Sequence, residues 1–175
     1  MTEKKTNWYS KRFWKVLSIE RLLWLSLASF AIFSVLRYKT VPQLDVPNVI
    51  LKDSLNRTTQ LSDLLDGPTV VHFYASWCGP CMKELPEIAK FRQTDLGKKI
   101  NWVFITEDNE SQCRVFHERY GMTIYRLNEL QDAGVYSIPV TYFFNEDKEL
   151  VKSDLGIWEW TNPELTNELS KNTHE

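Results

Sequence analysis

The chain has 175 residues, 43% of them hydrophobic and 25% charged, with a formal net charge of -2. That length holds one domain of ordinary size with something appended, and the balance is that of a globular core. No internal repeat, low-complexity tract or basic stripe is present, so an array protein and a nucleic-acid binder are excluded.

The charge is unevenly placed. Residues 1–38 carry seven Lys/Arg against Glu3 and Glu20, a balance of +5, and the remainder carries -7. The positive residues stand almost entirely before the charge-free run Leu22 to Leu36. As a helix, fifteen residues span ~22 Å, short of the ~30 Å hydrocarbon core, and extension back to Val16 closes the gap. That extension takes in Glu20 and Arg21 near one end, where they can pair and the arginine can snorkel.

The run also fits the apolar part of a cleaved signal peptide or a buried amphipathic helix. The stretch after it lacks a small-x-small cleavage pattern, and Ser29-Phe30-Ala31 has one only inside the run. The reading is therefore an uncleaved signal anchor at 22–36, with a cytoplasmic basic segment at 1–21, a tether at 37–43 and a globular domain at 44–175. Basic residues upstream orient the anchor with that domain outside the cytoplasm.

From Leu44 the pattern is α/β. Residues 46–52 and 58–60 read as a hairpin around the turn Asp53-Ser54-Leu55-Asn56-Arg57, and 61–65 as a short helix stopped by Asp66-Gly67-Pro68. A strand at 69–74 precedes a helix from Cys78 to about Thr94. A second buried strand covers 100–106. An acidic loop and N-cap at 107–111 start a helix that ends at Gly121. A brief helical piece at 127–133 closes at Gly134. Residues 141–144 and 149–153 form a hairpin, and Asn162-Pro163 caps a last helix to about Lys171.

The chemistry is concentrated where the strand at 69–74 meets the helix. Cys78 and Cys81 are separated only by Gly79-Pro80, so the first thiol stands at a helix N-terminus. Unpaired backbone N–H groups and the macrodipole favour its thiolate there. Cys81, one turn on, can close a ring with Cys78 and expel whatever Cys78 has captured. Cys78 is read as the attacking thiol and Cys81 as the resolving one. Half of a zinc site has the same spacing, and a Cys3His set from Cys78, Cys81, Cys113 and His117 can be drawn. A copper- or zinc-binding module is accordingly the alternative function. A structural disulfide is a third reading, although so short a loop removes little entropy from the unfolded chain.

Trp77-Cys78-Gly79-Pro80-Cys81 resembles the thioredoxin active-site motif, and Pro86 matches the proline inside the first long helix of that superfamily. Ser137-Ile138-Pro139-Val140 resembles the segment in which a cis-proline faces the dithiol, with Val140 where a thioredoxin has threonine. Cys81-Met82-Lys83-Glu84 is similar to the membrane-anchored, exported TlpA/ResA/DsbE-like branch. The resemblance covers roughly 44–171.

It implies a thioredoxin fold, a central mixed sheet flanked by helices, here with an N-terminal β-hairpin extension and the transmembrane signal anchor. It implies a thiol–disulfide oxidoreductase whose redox centre is the Cys78–Cys81 pair, without metal or other cofactor. Glu84 assists proton transfer, and Trp77, Gly79, Pro80, Ile138 and Pro139 meet the partner. The usual task of the branch is reductive, in cytochrome c maturation. The partners are then thiols or disulfides of exported proteins and a membrane electron donor of the thiol-reductase type. The location is the inner membrane, single-pass, with the domain on the periplasmic side. His72 stands where many thioredoxins have a buried Asp, and reads as a core histidine or a second proton carrier. Cys113 reads as an idle thiol. Trp158 and Trp160 read as core, or as the lining of a partner groove.

Overall fold

The computed structural model describes residues 20–34 and 41–173. It divides into two compact units, Met1–Thr40 and Val41–Glu175. In the first, residues 20–34 form helix α1, whose apolar side chains are exposed: Leu22, Leu23, Trp24, Leu25, Leu27, Phe30 and Ile32 lie between 58% and 73%. Among the described residues no helix is long and apolar enough to cross a membrane. The basic segment before α1 and the expected tether up to Thr40 lie outside the described residues, as do the last two positions of the apolar run.

The second unit opens with a 3-10 turn at Val46–Asn48 and then β1, Ile50–Lys52. The strand is shorter than the sequence suggests. Pro47 has no N–H to donate to a ladder, and Asn48 bonds back to Asp45 through both its backbone N–H and its side chain. The turn to β2, Thr58–Gln60, is organised by Asp53, whose Oδ1 accepts from the Leu55 and Arg57 amides at 2.8 and 2.9 Å. Helix α2 is Leu61–Leu64.

β3, Thr69–Phe73, is buried at every position, as a run of β-branched and aromatic residues in a central strand should be. α3 is Gly79–Phe91, with Pro86 inside it. It stops short of Thr94, whose hydroxyl donates to Phe91 O at 2.7 Å, and the chain turns through a 3-10 segment at Gly97–Lys99. A Cβ on Gly97 would stand 2.1 Å from Phe91 O, so only glycine fits this close approach.

β4 is Asn101–Thr106 and α4 is Glu110–Tyr120. α4 begins with an Asn109/Gln112 capping box and ends at Gly121 with φ 62°, both ends where the sequence put them. β5, Ile124–Arg126, was not foreseen, because three residues carry no readable period. A 3-10 turn at Leu130–Ala133 closes at Gly134, then β6 is Val140–Phe144, β7 is Leu150–Leu155 and α5 is Pro163–Lys171.

The seven strands form one mixed sheet in the order β2-β1-β5-β4-β3-β6-β7. β3, β4 and β5 run parallel, β6 pairs antiparallel with β3, and β1 joins β5 through the register Lys52 to Arg126. Alternation along the strands sorts two cores. Val70, Tyr74, Phe104 and Phe143 pack with α3, α4 and α5, while Val71, Phe73, Ile105 and Tyr142 pack with α2 and the 127–135 segment. β3 therefore ends at the centre of the sheet and hands the chain directly to α3.

Candidate functional site at the Cys78–Cys81 disulfide

The link from β3 to α3 is short and fixed. Tyr74 N–H donates to Ile105 O on β4, and Cys78 N–H donates to Ala75 O, both at 3.0 Å. Ser76 donates through its backbone N–H and its hydroxyl to the two carboxylate oxygens of Asp108, each at 2.8 Å, and Gln112 Nε2 donates to Ser76 Oγ at 2.7 Å. Asp108 is buried. A buried carboxylate that accepts charge-assisted bonds is an effective clamp, and this one ties the loop before the cysteines to the end of β4.

Cys78 is the N-cap of α3, and a disulfide joins it to Cys81 with their Cα atoms 5.3 Å apart. The Cys81 N–H, one of the first-turn amides that the helix leaves unpaired, donates to Cys78 Sγ at 3.2 Å. Ile138 O lies 3.8 Å from the same sulfur. In the disulfide that sulfur has no proton, while a reduced Cys78 thiol can donate to the carbonyl. The two sulfurs differ in access: Cys78 keeps 4% of its surface and Cys81 none.

The Ile138–Pro139 peptide bond is cis, as the resemblance implied, with Pro139 buried and Ile138 half-buried. Pro139 O accepts from Gly156 N–H at 2.8 Å, which joins this segment to the loop after β7. Gly79 and Pro80 are exposed. Trp77 is 67% exposed, and its indole N–H donates to Glu107 Oε1 at 3.3 Å. The pentapeptide Trp77–Cys81 and the Ile138–Pro139 segment are thus brought together from positions 60 residues apart.

Glu84 lies one turn beyond Cys81 on the buried face of α3 and is 1% exposed. Its Oε1 accepts two hydrogen bonds at 3.0 Å, from the Trp158 backbone N–H and from the Trp160 indole N–H. Oε2 has no partner among the described residues. Burial pushes the carboxyl up to about 7 against the opposing pull of these two bonds. A carboxyl titrating near neutrality one helical turn from the resolving thiol is suited to general acid–base work.

Trp158 and Trp160 are core, 5% and 3% exposed, and their hydrogen bonds to Glu84 were not foreseen. The only signal available was indirect: a helix glutamate that turns inward needs donors, and 74 and 76 residues separate it from these.

His72 is fully buried on the face shared by Val70 and Tyr74, with Nδ1 2.9 Å from Thr141 Oγ1 and Nε2 without a partner among the described residues. Burial holds its pKa at about 3, so the ring is neutral at any ordinary pH. It is a core histidine.

Cys113 is half-buried and free, its thiol pushed up to about 11 by burial. It shares a cavity of about 550 Å³ with His117, Arg57, Arg114 and Arg126, a cavity whose lining does not include Cys78 or Cys81. The Cys3His set is therefore not assembled, and no group of three or more His, Cys, Asp or Glu is placed to hold a metal among the described residues.

A mixed sheet that delivers a C-x-x-C disulfide from its central strand to the mouth of a helix, opposite a cis-proline, defines a thiol–disulfide oxidoreductase of thioredoxin fold. The crystal structure of a thiol:disulfide interchange protein of the thioredoxin family from Chlorobium tepidum superposes on it with a TM-score of 0.59. That match has 16% identity and covers 77% of this chain and 99% of the other. The chain belongs to the AhpC/TSA family, whose description matches residues 42–165. It is 28% identical to the thioredoxin-like protein YneN of Bacillus subtilis over 70% of this chain and 75% of that protein. It is 29% identical to the thiol-disulfide oxidoreductase ResA of the same organism, over 64% of this chain and 66% of ResA.

Proposed function

We propose that the protein is a membrane-tethered thiol–disulfide oxidoreductase that reduces disulfides of exported proteins, with the Cys78–Cys81 pair as its whole redox centre. The observation that carries this reading is the asymmetry of the pair. Cys78 keeps the little surface the pair exposes and receives a helix N-terminal N–H, while Cys81 is fully buried one helical turn from a carboxyl poised near neutrality.

The Cys78 thiolate attacks a partner disulfide. One partner sulfur leaves as a thiolate and takes a proton, and a Cys78–partner mixed disulfide forms. Glu84 accepts the Cys81 proton, and the Cys81 thiolate attacks Cys78 Sγ. The second partner sulfur then leaves and is protonated in turn. Two electrons and two protons pass to the partner, and the Cys78–Cys81 disulfide remains. Trp77, Gly79, Pro80 and Ile138 form the surface that meets the partner's chain, and the buried Pro139 holds Ile138 in place through its cis bond. A membrane thiol donor restores the dithiol, which an oxidising compartment does not sustain unaided.

The tether rests on α1 and its flanks. An apolar helix exposed on every side is at home in lipid rather than water, and the Lys and Arg residues before it set the orientation. Apocytochromes awaiting haem attachment fit as substrates because they present cysteines that must be reduced, the usual task of the branch that the Cys81-Met82-Lys83-Glu84 pattern resembles.

Trapping tests the reading. A C81S variant should accumulate mixed disulfides through Cys78 on exported proteins, and C78S should accumulate none. An equal yield from both variants would remove Cys78 as the attacking thiol. A periplasmic reporter fused after Glu175 that stays inactive would remove the tethered topology.

A further inference from the structure

Glu84 makes its two hydrogen bonds through one oxygen. Trp158 N–H and Trp160 Nε1–H both reach Oε1 at 3.0 Å, and Oε2, although buried, has no partner among the described residues. Two donors on one oxygen fix the plane of the carboxyl and concentrate negative charge on Oε1 when the group ionises. The proton is then carried by the other oxygen, because a protonated Oε1 would face two donors and lose at least one of them.

Trp160 is held in place from several sides. Its ring lies 5.3 Å from Phe91, 5.4 Å from Trp102 and 5.2 Å from Trp158. The indole therefore cannot swing away from the carboxyl without disturbing α3 and β4.

We propose that Trp160, together with the Trp158 backbone amide, is a positioning device for Glu84, holding Oε1 so that Oε2 is the atom that exchanges the proton with Cys81. The inference rests on the role given to Glu84 above. It adds which oxygen acts and which residue outside α3 sets that choice.

Other charges do not compete for the role. Titratable groups on the elements packed around Glu84 are Lys83, Glu87 and Lys90 on α3, His72 and Tyr74 on β3, Lys152 and Asp154 on β7, Glu159 in the 156–162 loop, and Glu164, Glu168 and Lys171 on α5. None of them contributes to the displacement of the Glu84 pKa, which comes from burial, opposed by the two tryptophan bonds alone.

The test uses the full chain with thionitrobenzoate loaded on Cys78 as a mixed disulfide, and follows its release by Cys81 as a function of pH. In the wild type the release rate follows a midpoint near 7. Trp160→Phe, which keeps the ring and deletes the donor, should move that midpoint up by about one pH unit, the weight of one hydrogen bond to a charged group. Glu84→Gln should remove the midpoint near 7 and leave only the rise that follows ionisation of Cys81 itself at higher pH, and W160F should add nothing in that background. A W160F midpoint equal to wild type, or an equal W160F effect with and without Glu84, overturns the positioning role. A midpoint near 7 that survives E84Q overturns the proton-transfer role of Glu84 itself. The unmutated ring supplies a check that does not depend on the variant's folding: the Trp160 indole N–H resonance should titrate with the same midpoint in the wild type and become flat in E84Q. An indole resonance that does not move with pH in the wild type overturns the proposal.

Discussion

The backbone N–H of Cys81 points at the sulfur of Cys78 from 3.2 Å. A helix-terminal N–H supports a negative sulfur far better than a neutral one, and the macrodipole adds to it. In the reduced protein Cys78 should therefore be alkylated by iodoacetamide faster than free cysteine at mildly acidic pH. Cys81 and Cys113 should lag behind it. Equal rates for all three thiols would contradict the arrangement.

Asp108 is the second point at which the loop can be tested. Its carboxylate is buried and takes both polar groups of Ser76. Asp108→Ala leaves a buried amide and hydroxyl without their acceptor and should cost about 2–3 kcal/mol in urea denaturation. It should also slow thiol exchange, because the loop that aims Cys78 loses its anchor to β4.

The pH dependence of stability follows from two buried groups of opposite sign. Glu84 has its pKa raised to about 7, so the folded state holds a proton that the unfolded chain releases above the ordinary carboxylate value of 4.5. Its contribution is complete below 4.5 and is lost as pH rises through about 7. His72 has its pKa lowered from 6.5 to about 3, so its contribution is complete above 6.5 and is lost as pH falls toward 3. Between 4.5 and 6.5 the two slopes oppose each other. Glu84→Gln should expose the His72 slope alone, with stability rising steadily with pH from 4.5 to 6.5 in denaturation curves. A flat profile in E84Q over that range would refute the assignment to His72.

Gly97 tests the close turn after α3. A methyl group there would meet the Phe91 carbonyl oxygen at 2.1 Å, and the obstacle is backbone. Gly97→Ala should lower stability by about 2–3 kcal/mol, at the upper end of overpacking effects. Thermal denaturation indistinguishable from wild type would show that the segment relaxes freely.

Much of the fold was legible because its signals are local. The strand at 69–74, the Cys78 helix start, a cap within 107–111, the Gly121 stop and the Asn162 cap each depend on residues within a few positions of one another, and each is found in place. Where the reading erred, distance or length was the reason. β5 is too short to show a period and exists because β4 and β1 flank it. The first strand was drawn too long because Pro47 and Asn48 form a turn within an apolar stretch. Trp158 and Trp160 gave no sign that one glutamate's oxygen was their partner.

By itself the sequence determined that a dithiol sits at a helix mouth, because four consecutive residues and the strand before them specify it. Only the tertiary structure decided which sulfur is reachable, that Glu84 is buried with one oxygen held and the other without a partner among the described residues, and that Cys113 and His117 line a separate cavity. Those properties belong to side chains brought together from distant parts of the chain, and burial and hydrogen-bond partnership arise only once the sheet has closed over them.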